Sequence, residues 1–221
     1  MIGVLTYNIP HRKTYDTLCL LKAKGINEKI VVFAESLHYE KKFTPVLEHR
    51  PKCNNALTPK ELCKNFNYQY YEGFKENEIP ENSKILVCGS GIISHDLISK
   101  YKIINAHPGY LPNVRGLDAL KWAIYDDQPI GVTTHRLGEY VDAGLIIDRQ
   151  LVPLYLNDTF HAVAHRQYEM EVNMLVEALD KIESTTEFVE PQNYPLRKRM
   201  PHEKETIIIK LFNEIIQKNN N

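Results

Sequence analysis

The sequence has few cysteines, no long apolar run and almost no net charge. Its four cysteines, Cys19, Cys53, Cys63 and Cys88, are far apart in the 221 residues and form no CxxC pair, which argues against a disulfide framework or a structural zinc site. We therefore expect free thiols, no metal site and a cytoplasmic location. The N-terminus lacks the basic start and long apolar stretch of a secretory signal. No segment reaches the roughly 20 apolar residues that span a bilayer, so no membrane partner is expected.

The absence of a charge excess excludes a further class of proteins. Lys and Arg total 27 and Asp and Glu total 28, which leaves a formal charge of −1. Proteins that bind nucleic acids usually need a basic face, so a nucleic-acid partner is not expected. A composition of 43% hydrophobic and 25% charged residues is typical of a globular protein. The length suits one domain, or one domain with a small appendage.

Apolar runs alternate with helical patterns along most of the chain. Thr58, Pro59 and Glu61 form a capping box that opens a short helix. Strands are predicted at residues 2–6, 29–34, 68–71, 84–88, 102–105, 130–136 and 145–154, and further helices at 15–24, 95–100, 117–127, 158–182 and 203–218. This alternation predicts an α/β fold, a mostly parallel twisted sheet with helices on both faces.

After Glu183 the sequence becomes polar and proline-containing, which predicts an irregular segment before the last helix. We interpret residues 1–183 as the catalytic domain and residues 184–221 as a short C-terminal appendage, a loop followed by an amphipathic helix. The apolar residues of that helix (Ile207, Ile208, Leu211 and Ile215) either form an interface with a second copy or pack back onto the same chain.

The candidate site lies where a predicted strand ends in Asn105 and is followed by His107. Ligands of open parallel sheets bind beyond the carboxyl ends of the strands, so both residues are well placed. Asp142 lies in the loop between the next two strands. Singly, these residues are ordinary: a strand-end amide, a capping or core histidine, and a turn former. Together they supply an amide donor, an imidazole and an acid.

Two motifs around these residues resemble those of a known family. The segment INAHPGYLPNVRG resembles the N-x-H-P-x-x-L-P-x-x-x-G signature of the folate-dependent formyltransferases, and GVTTHRLGEYVDAG resembles their G-x-T-x-H followed by D-x-G. A further segment, LVCGSGIIS, is similar to the loop that receives the pterin in this family. The resemblance implies a Rossmann-like formyltransferase fold with 10-formyltetrahydrofolate as formyl donor. It implies a folate site formed by Cys88, Gly89, Ser90, Gly91, Ile92, Val141 and Asp142.

The implied reaction is the transfer of a formyl group to an amine. Asn105 and protonated His107 would donate hydrogen bonds to the oxygen of the attacked formyl group, each typically worth about 3–4 kcal/mol. Asp142 would keep His107 charged or relay a proton through a bound water, and the sequence leaves both roles open. His135 precedes Asp142 by seven residues, and we interpret it as a structural residue that orients the Asp142 loop.

The loop after the first strand narrows the choice of acceptor. Glycinamide-ribonucleotide formyltransferases carry a Gly/Ser-rich loop there that cradles a phosphate, whereas this loop reads TYNIPHR, so a backbone phosphate nest is not expected. The 38 residues after Glu183 are too few for the tRNA domain of methionyl-tRNA formyltransferases. The segment HPGYLPNVRGLDALKWAI is similar to that of the sugar N-formyltransferases, which implies a nucleotide-linked amino sugar as acceptor.

That subgroup implies a homodimer and a function in surface-polysaccharide synthesis, with an acceptor such as dTDP-4-amino-4,6-dideoxyglucose. Tyr194 would stack on the base, and basic residues would contact the diphosphate. The candidate substrate-binding residues are Asn8, Arg12, Lys13, Arg115, Tyr194, Arg197, Lys198 and Arg199, although the last three also fit a solvated charge run. Two alternatives remain open, a glycinamide ribonucleotide formyltransferase and a non-catalytic folate-binding homologue.

Overall fold

The computed structural model describes residues 1–37, 43–53, 57–138, 142, 144–189 and 194–218. The strands of this part of the chain are β1 (Ile2–Tyr7), β2 (Ile30–Glu35), β3 (Gln69–Glu72), β4 (Lys84–Val87), β5 (Lys102–His107), β6 (Arg115–Gly116), β7 (Gly131–Leu137), β8 (Gly144–Leu151), β9 (Glu187–Val189) and β10 (Leu196–Arg197). The helices are α1 (Arg12–Ala23), α2 (Pro59–Phe66), α3 (His95–Lys100), α4 (Ala119–Tyr125), α5 (Phe160–Lys181), α6 (His202–Glu205) and α7 (Ile208–Lys218), with 3₁₀ turns at Glu76–Glu78 and Ile182–Ser184.

The main sheet is mixed and has the strand order β3-β2-β1-β4-β5-β7-β8-β9. The pairings from β3 to β5 are all parallel, as the apolar runs predict. From β5 onward the strands are antiparallel, and among these pairs only β7 and β8 follow each other with no helix between them in the described part of the chain. The α/β prediction is confirmed, and β5 is the strand at which the sheet changes direction.

Alternating side chains of the parallel strands fill two cores, one on each face of the sheet. Val4 and Ile104 belong to the core that also contains Leu18 of α1 and Leu175 of α5. Leu5 belongs to the opposite core. Since successive residues of a strand point to opposite faces, the continuous apolar runs are those of strands covered by helices on both sides.

Several boundaries differ from the predicted ones. The capping box of α2 is confirmed, with Thr58 Oγ1 accepting from the Glu61 amide. The strand predicted to end at Asn105 continues to His107. The predicted final helix is divided into α6 and α7. The segment predicted to be irregular contains β9 and β10, whose two or three residues are too few for a detectable alternation.

The C-terminal helix α7 packs onto its own chain. Ile208, Phe212 and Ile216 are buried in one cluster with Trp122 of α4 and Phe160 of α5. The sequence left open whether the apolar residues of this helix contact a second copy or the same chain. Ile208 packs on the same chain, and Leu211 and Ile215 are partly buried against the same cluster. The division at residue 183 stays a prediction.

All four cysteines are free thiols, as the sequence predicts. Within the described ranges, every helix is too short or too polar to cross a lipid bilayer.

Candidate active site

The carboxyl end of β5 presents the first two candidate residues. Asn105 and His107 are separated by one residue of an extended strand, so their side chains lie on the same face of the sheet. Asn105 is opposite Val87 of β4 and His135 of β7. Its Nδ2 lies 3.4 Å from Nε2 of His135. His135 thus contacts Asn105 directly, whereas the sequence predicts that it orients the Asp142 loop.

His107 is held between a carbonyl and a carboxylate. Its side chain is buried, Nε2 lies 2.9 Å from the Val114 carbonyl oxygen, and Nδ1 lies 3.5 Å from Oδ1 of Asp142. A doubly protonated imidazole donates to both acceptors. Gly109 makes this placement possible, because a Cβ there would lie 2.6 Å from His107 Nε2.

Asp142 is oriented by the segment that follows the β5 loop. Its Oδ2 accepts a hydrogen bond from the Gly116 amide at 2.7 Å, and its main-chain oxygen accepts from Nε of Arg115 at 3.2 Å. The residue has φ of 47°, a left-handed conformation that aspartate tolerates better than most residues. The other carboxylate oxygen thereby faces His107.

This arrangement places the Asn105 amide beside the pair formed by His107 and Asp142. One N–H of Asn105 faces His135, and the amide has a second N–H for a developing oxyanion. Both nitrogens of His107 face protein acceptors, so the ring is held in one orientation beside the Asn105 amide. Preorganised donors and charges of this kind stabilise tetrahedral intermediates of acyl transfer.

The predicted pterin loop leaves the sheet next to these residues. Val87 is paired with Asn105, and the loop from Cys88 to Ile92 follows at once. The Cys88 side chain is buried in the core, and burial raises the pKa of its thiol to about 11. Ile92 is fully exposed. Cys88 therefore contributes its backbone to this loop, and Val141 lies outside the described residues.

Gly89 of this loop is covered by the end of β1. A Cβ on Gly89 would lie 2.6 Å from the Tyr7 ring and 3.3 Å from His11. The Tyr7 hydroxyl donates to the Ser90 carbonyl at 2.6 Å. Burial, followed by the charges of Lys13 and Arg50, lowers the pKa of His11 to about 4. At neutral pH Tyr7 and His11 thus present one phenol ring and a neutral imidazole beside Gly89.

The predicted substrate contacts near α1 make internal interactions. Lys13 is buried, its Nζ lies 2.8 Å from Glu171 Oε1 and it donates to the Ala106 carbonyl at 3.2 Å. Arg12 bonds Asp16 at 2.6 Å on the surface. Asn8 donates to Ser36 Oγ at 3.3 Å. The structure therefore places Lys13 behind β5, away from a surface on which it could bind a phosphate.

The remaining predicted substrate-binding residues lie close together around β6, β10 and α4. Arg115 is buried and donates from Nη1 to the Tyr194 carbonyl at 3.0 Å. Arg197 bonds Asp126 at 2.6 Å and lies over the Trp122 ring. The same tryptophan donates to the Lys198 carbonyl. These residues are adjacent in space, and Arg199 follows with its Nη1 3.6 Å from Asp118 Oδ1.

Three residues that support the site were missed by sequence reasoning. Gln167 of α5 donates to the carbonyls of Pro108 and Gly131, both at 3.0 Å. Thr133 accepts from the Leu111 amide and donates to the Gly109 carbonyl. Glu171 joins Lys13 to Arg50. In the sequence, each of these residues is only a polar residue on the apolar face of a predicted helix or strand. That pattern does not identify the partner of the residue.

A family model described as formyl transferase matches residues 38–179 of the chain. The trifunctional purine biosynthetic protein adenosine-3 of Chironomus tentans is 31% identical over 134 residues, which are 57% of this chain and 10% of that protein. A methionyl-tRNA formyltransferase of Agathobacter rectalis is 30% identical over 141 residues, 62% of this chain and 44% of that enzyme. The chain thus spans less than half the length of these curated relatives.

Solved structures resemble the chain over more of its length. A 4-N formyltransferase from Francisella tularensis has a TM-score of 0.60 at 16% identity, and the match covers 94% of this chain and 86% of that enzyme's chain. WlaRD, a sugar 3N-formyl transferase solved in the presence of dTDP and 5-N-formyl-THF, has a TM-score of 0.64 at 18% identity, with coverages of 97% and 80%. A phosphoribosylglycinamide formyltransferase from Streptococcus pneumoniae has a TM-score of 0.57 at 20% identity, with coverages of 82% and 98%.

Proposed function

The chain belongs to the formyl transferase family, and on this premise we propose that it transfers a formyl group from 10-formyltetrahydrofolate to the amino group of a nucleotide-linked amino sugar. The observation that carries the proposal is the meeting of Asn105, His107 and Asp142 beside the exposed loop that follows β4. A folate-binding protein without catalysis would have no need for an amide, an imidazole and a carboxylate at one strand end.

The proposed reaction is an acyl transfer to which all three residues contribute. The substrate amine attacks the formyl carbon, the bond from that carbon to N10 of the folate breaks, and the proton lost by the amine ends on N10. The Asn105 amide donates to the oxygen on which negative charge develops, and a protonated His107, held by Asp142, places its imidazolium near that oxygen. Asp142 is the acceptor through which the amine's proton leaves, directly or by one water.

The end of β1 supports an amino sugar over glycinamide ribonucleotide as acceptor. Tyr7 and His11 cover Gly89 at the place where a glycine-rich loop would cradle a phosphate. His11 is neutral at neutral pH, and Lys13 is paired with Glu171. A ribonucleotide phosphate would find neither a backbone nest nor an unpaired charge from these three residues.

We further propose a cytoplasmic homodimer that serves surface-polysaccharide synthesis. The free thiols are consistent with a reducing compartment. An amino-sugar nucleotide such as dTDP-4-amino-4,6-dideoxyglucose is the proposed acceptor.

The test is incubation with 10-formyltetrahydrofolate and a panel of amines. The panel contains dTDP-4-amino-4,6-dideoxyglucose, its 3-amino isomer, UDP-linked amino sugars, glycinamide ribonucleotide and methionyl-tRNA. We expect one sugar nucleotide to gain the mass of a formyl group while an equal amount of tetrahydrofolate is released. The second candidate is glycinamide ribonucleotide, favoured by the sequence likeness to a purine biosynthetic protein. Formylation of that ribonucleotide alone would contradict the proposal of an amino-sugar acceptor.

Calorimetry of donor binding distinguishes a misfolded preparation from a folded one that does not catalyse transfer. If the folate binds but every amine remains unmodified, the proposal of transfer to these acceptors fails and a binding function is favoured. The reaction without protein and the reaction with 5-formyltetrahydrofolate as donor control for spontaneous transfer.

A further inference from the structure

The chain after Tyr194 runs along the segment that orients Asp142. We name residues 194–200 the C-terminal strap. Its strand β10 pairs in parallel with β6, with Leu196 opposite Arg115 and Arg197 opposite Gly116. The Leu117 amide extends the pairing by donating to the Arg197 carbonyl at 2.9 Å. Gly116 has φ of 93°, and a Cβ there would overlap the Arg197 backbone. Glycine is therefore required for the strap to approach this closely.

The two residues of β6 contact the strap on one side and Asp142 on the other. The Gly116 amide donates to Asp142 Oδ2 at 2.7 Å. Arg115 donates from Nε to the Asp142 carbonyl at 3.2 Å and from Nη1 to the Tyr194 carbonyl at 3.0 Å. One buried guanidinium thus joins the Asp142 loop to the first residue of the strap.

The basic residues of the strap fasten it to α4. Arg197 bonds Asp126 at 2.6 Å, and its guanidinium lies 4.6 Å from the centre of the Trp122 ring. Trp122 Nε1 donates to the Lys198 carbonyl at 2.8 Å. The buried Met200 donates from its amide to Asp118 Oδ2 at 2.9 Å. Polar bonds therefore fix both the strand and the end of the strap.

We infer that the C-terminal strap positions the carboxylate of Asp142 and that Arg115 is a positioning residue for it. The inference rests on the proposed function, because it assigns the strap to the reaction that Asp142 serves. With Oδ2 held by Gly116, Oδ1 faces His107 Nδ1 at 3.5 Å. Errors of about 1 Å in such a geometry cost about a hundredfold in rate. Arg197 then holds the strap in place, where the sequence interpretation has it binding a diphosphate.

Asp126→Ala separates these two roles of Arg197, because it removes the partner of the guanidinium without altering the strap. If Arg197 fastens the strap, kcat falls about tenfold, a fraction of the loss expected for a fully misplaced group, while KM for both substrates stays within twofold. The emission of Trp122, the single tryptophan, shifts to longer wavelength as its cover loosens. A lower KM for the acceptor with unchanged kcat and emission would instead mean that a freed Arg197 binds phosphate, which overturns the inference.

Substitutions of Arg115 test the positioning role itself. Arg115→Met removes the hydrogen bonds to the Asp142 and Tyr194 carbonyls, and we expect kcat to fall about a hundredfold with little change in KM. Arg115→Lys can reach one carbonyl but lacks the fork of donors, so we expect its kcat to lie between those of the wild type and the Met variant. Because the lysine keeps the positive charge, this variant provides a test even if the Met variant misfolds. The matched control is Arg166→Met, which removes bonds to Pro153 and Asp158 away from the site. Wild-type kcat in Arg115→Met would overturn the assignment.

Amide hydrogen exchange gives a readout that does not depend on turnover. The Gly116 amide is protected by Asp142 and the Leu117 amide by the strap. In Asp126→Ala we expect both amides to exchange at least several times faster than in the wild type. Faster exchange of Leu117 with unchanged Gly116 would show that the strap loosens without moving Asp142, and the inference would fail. If no acceptor is formylated but both amides respond, the proposed function fails while the coupling of strap to Asp142 stands.

Discussion

At the scale of single residues, backbone groups fix much of the candidate site. The Val114 carbonyl orients one nitrogen of His107, and the Gly116 amide orients one oxygen of Asp142. Asn105 contacts a side chain instead, the imidazole of His135. Since a backbone partner cannot be lost by substitution, the Val114 carbonyl and the Gly116 amide stay in place when a nearby side chain is removed.

Asn105→Ala and His107→Ala are each expected to lower the rate of formyl transfer at least a hundredfold, because each removes a group that stabilises the developing oxyanion. Single-turnover rates with saturating donor and acceptor provide the measurement. Asn173→Ala and His165→Ala, on the exposed surface of α5, are matched controls that should keep wild-type rates. Near wild-type turnover in either site variant, with the fold intact by circular dichroism, would refute its role.

His49 gives the fold a dependence on acid. Burial, followed by the charges of Lys121 and Arg50, lowers its pKa from 6.5 to about 3. The unfolded chain therefore binds a proton at a pH where the folded chain does not, and stability is lost as the pH falls from about 6.5 toward 3. His49→Gln removes this difference. Between pH 6.5 and 4.5 the free energy of unfolding of the wild type should fall by about 2–3 kcal/mol more than that of the variant.

Urea denaturation at several pH values measures this effect. The control is His165→Gln, whose side chain is 58% exposed, and its stability should follow the wild-type dependence on pH. Parallel curves for His49→Gln and the wild type would exclude His49 as a source of the acid sensitivity.

At the scale of secondary-structure elements, α2 is the helix whose beginning is best defined by local sequence. Thr58 accepts from the Glu61 amide, and Glu61 accepts from the Thr58 amide at 2.8 Å. Thr58→Ala should destabilise the protein by about 1 kcal/mol, the usual cost of losing an N-cap. Thr58→Ser keeps the hydroxyl and should recover most of the loss in thermal denaturation. Equal melting temperatures for the wild type and Thr58→Ala would contradict this role.

The same locality explains which elements the sequence predicts. The parallel strands are apolar runs covered on both faces, and α3 has the predicted bounds of 95–100 because Ser94 caps it. By contrast, α1 begins at Arg12 after His11, which gives no side-chain cap. Strands β6 and β10 form only because distant segments meet, and no local pattern encodes such a meeting.

The candidate site was predictable to the same extent. Asn105, His107 and Asp142 stand in motifs, and the structure brings them to one place. The roles of Arg115 and Arg197 depend on partners 79 and 71 residues away. A positive side chain in sequence fits both a phosphate and a carbonyl partner, so their interpretation required the fold.

At the scale of the whole molecule, a buried ion pair joins the C-terminal segment to the main body of the fold. Lys121 of α4 contacts Glu205 of α6, and both side chains are fully buried. Glu205 also accepts from the Val46 amide at 2.6 Å. The pair therefore connects three segments that are far apart in sequence, and loss of one partner leaves a buried charge.

Lys121→Met is expected to destabilise the protein by about 3–5 kcal/mol, because it leaves Glu205 without its cation. The double variant Lys121→Met/Glu205→Gln should recover much of this loss, since glutamine is neutral and still accepts from Val46. Chemical denaturation of the wild type, both single variants and the double variant measures the coupling. Lys52→Met, which breaks the exposed pair with Glu48, should cost no more than about 1 kcal/mol. A similarly small cost for Lys121→Met would contradict the role of the buried pair.

The contact of Tyr7 with Gly89 has a consequence for how this site can diversify. Because any Cβ at position 89 would collide with the Tyr7 ring, the two positions cannot change independently. A descendant that gains a side chain at 89 must first exchange the tyrosine for a smaller residue, and would then lose the hydroxyl that holds Ser90. Across an alignment of relatives, we expect the residues at these two positions to covary, so that a change of acceptor and a change in the donor loop evolve together.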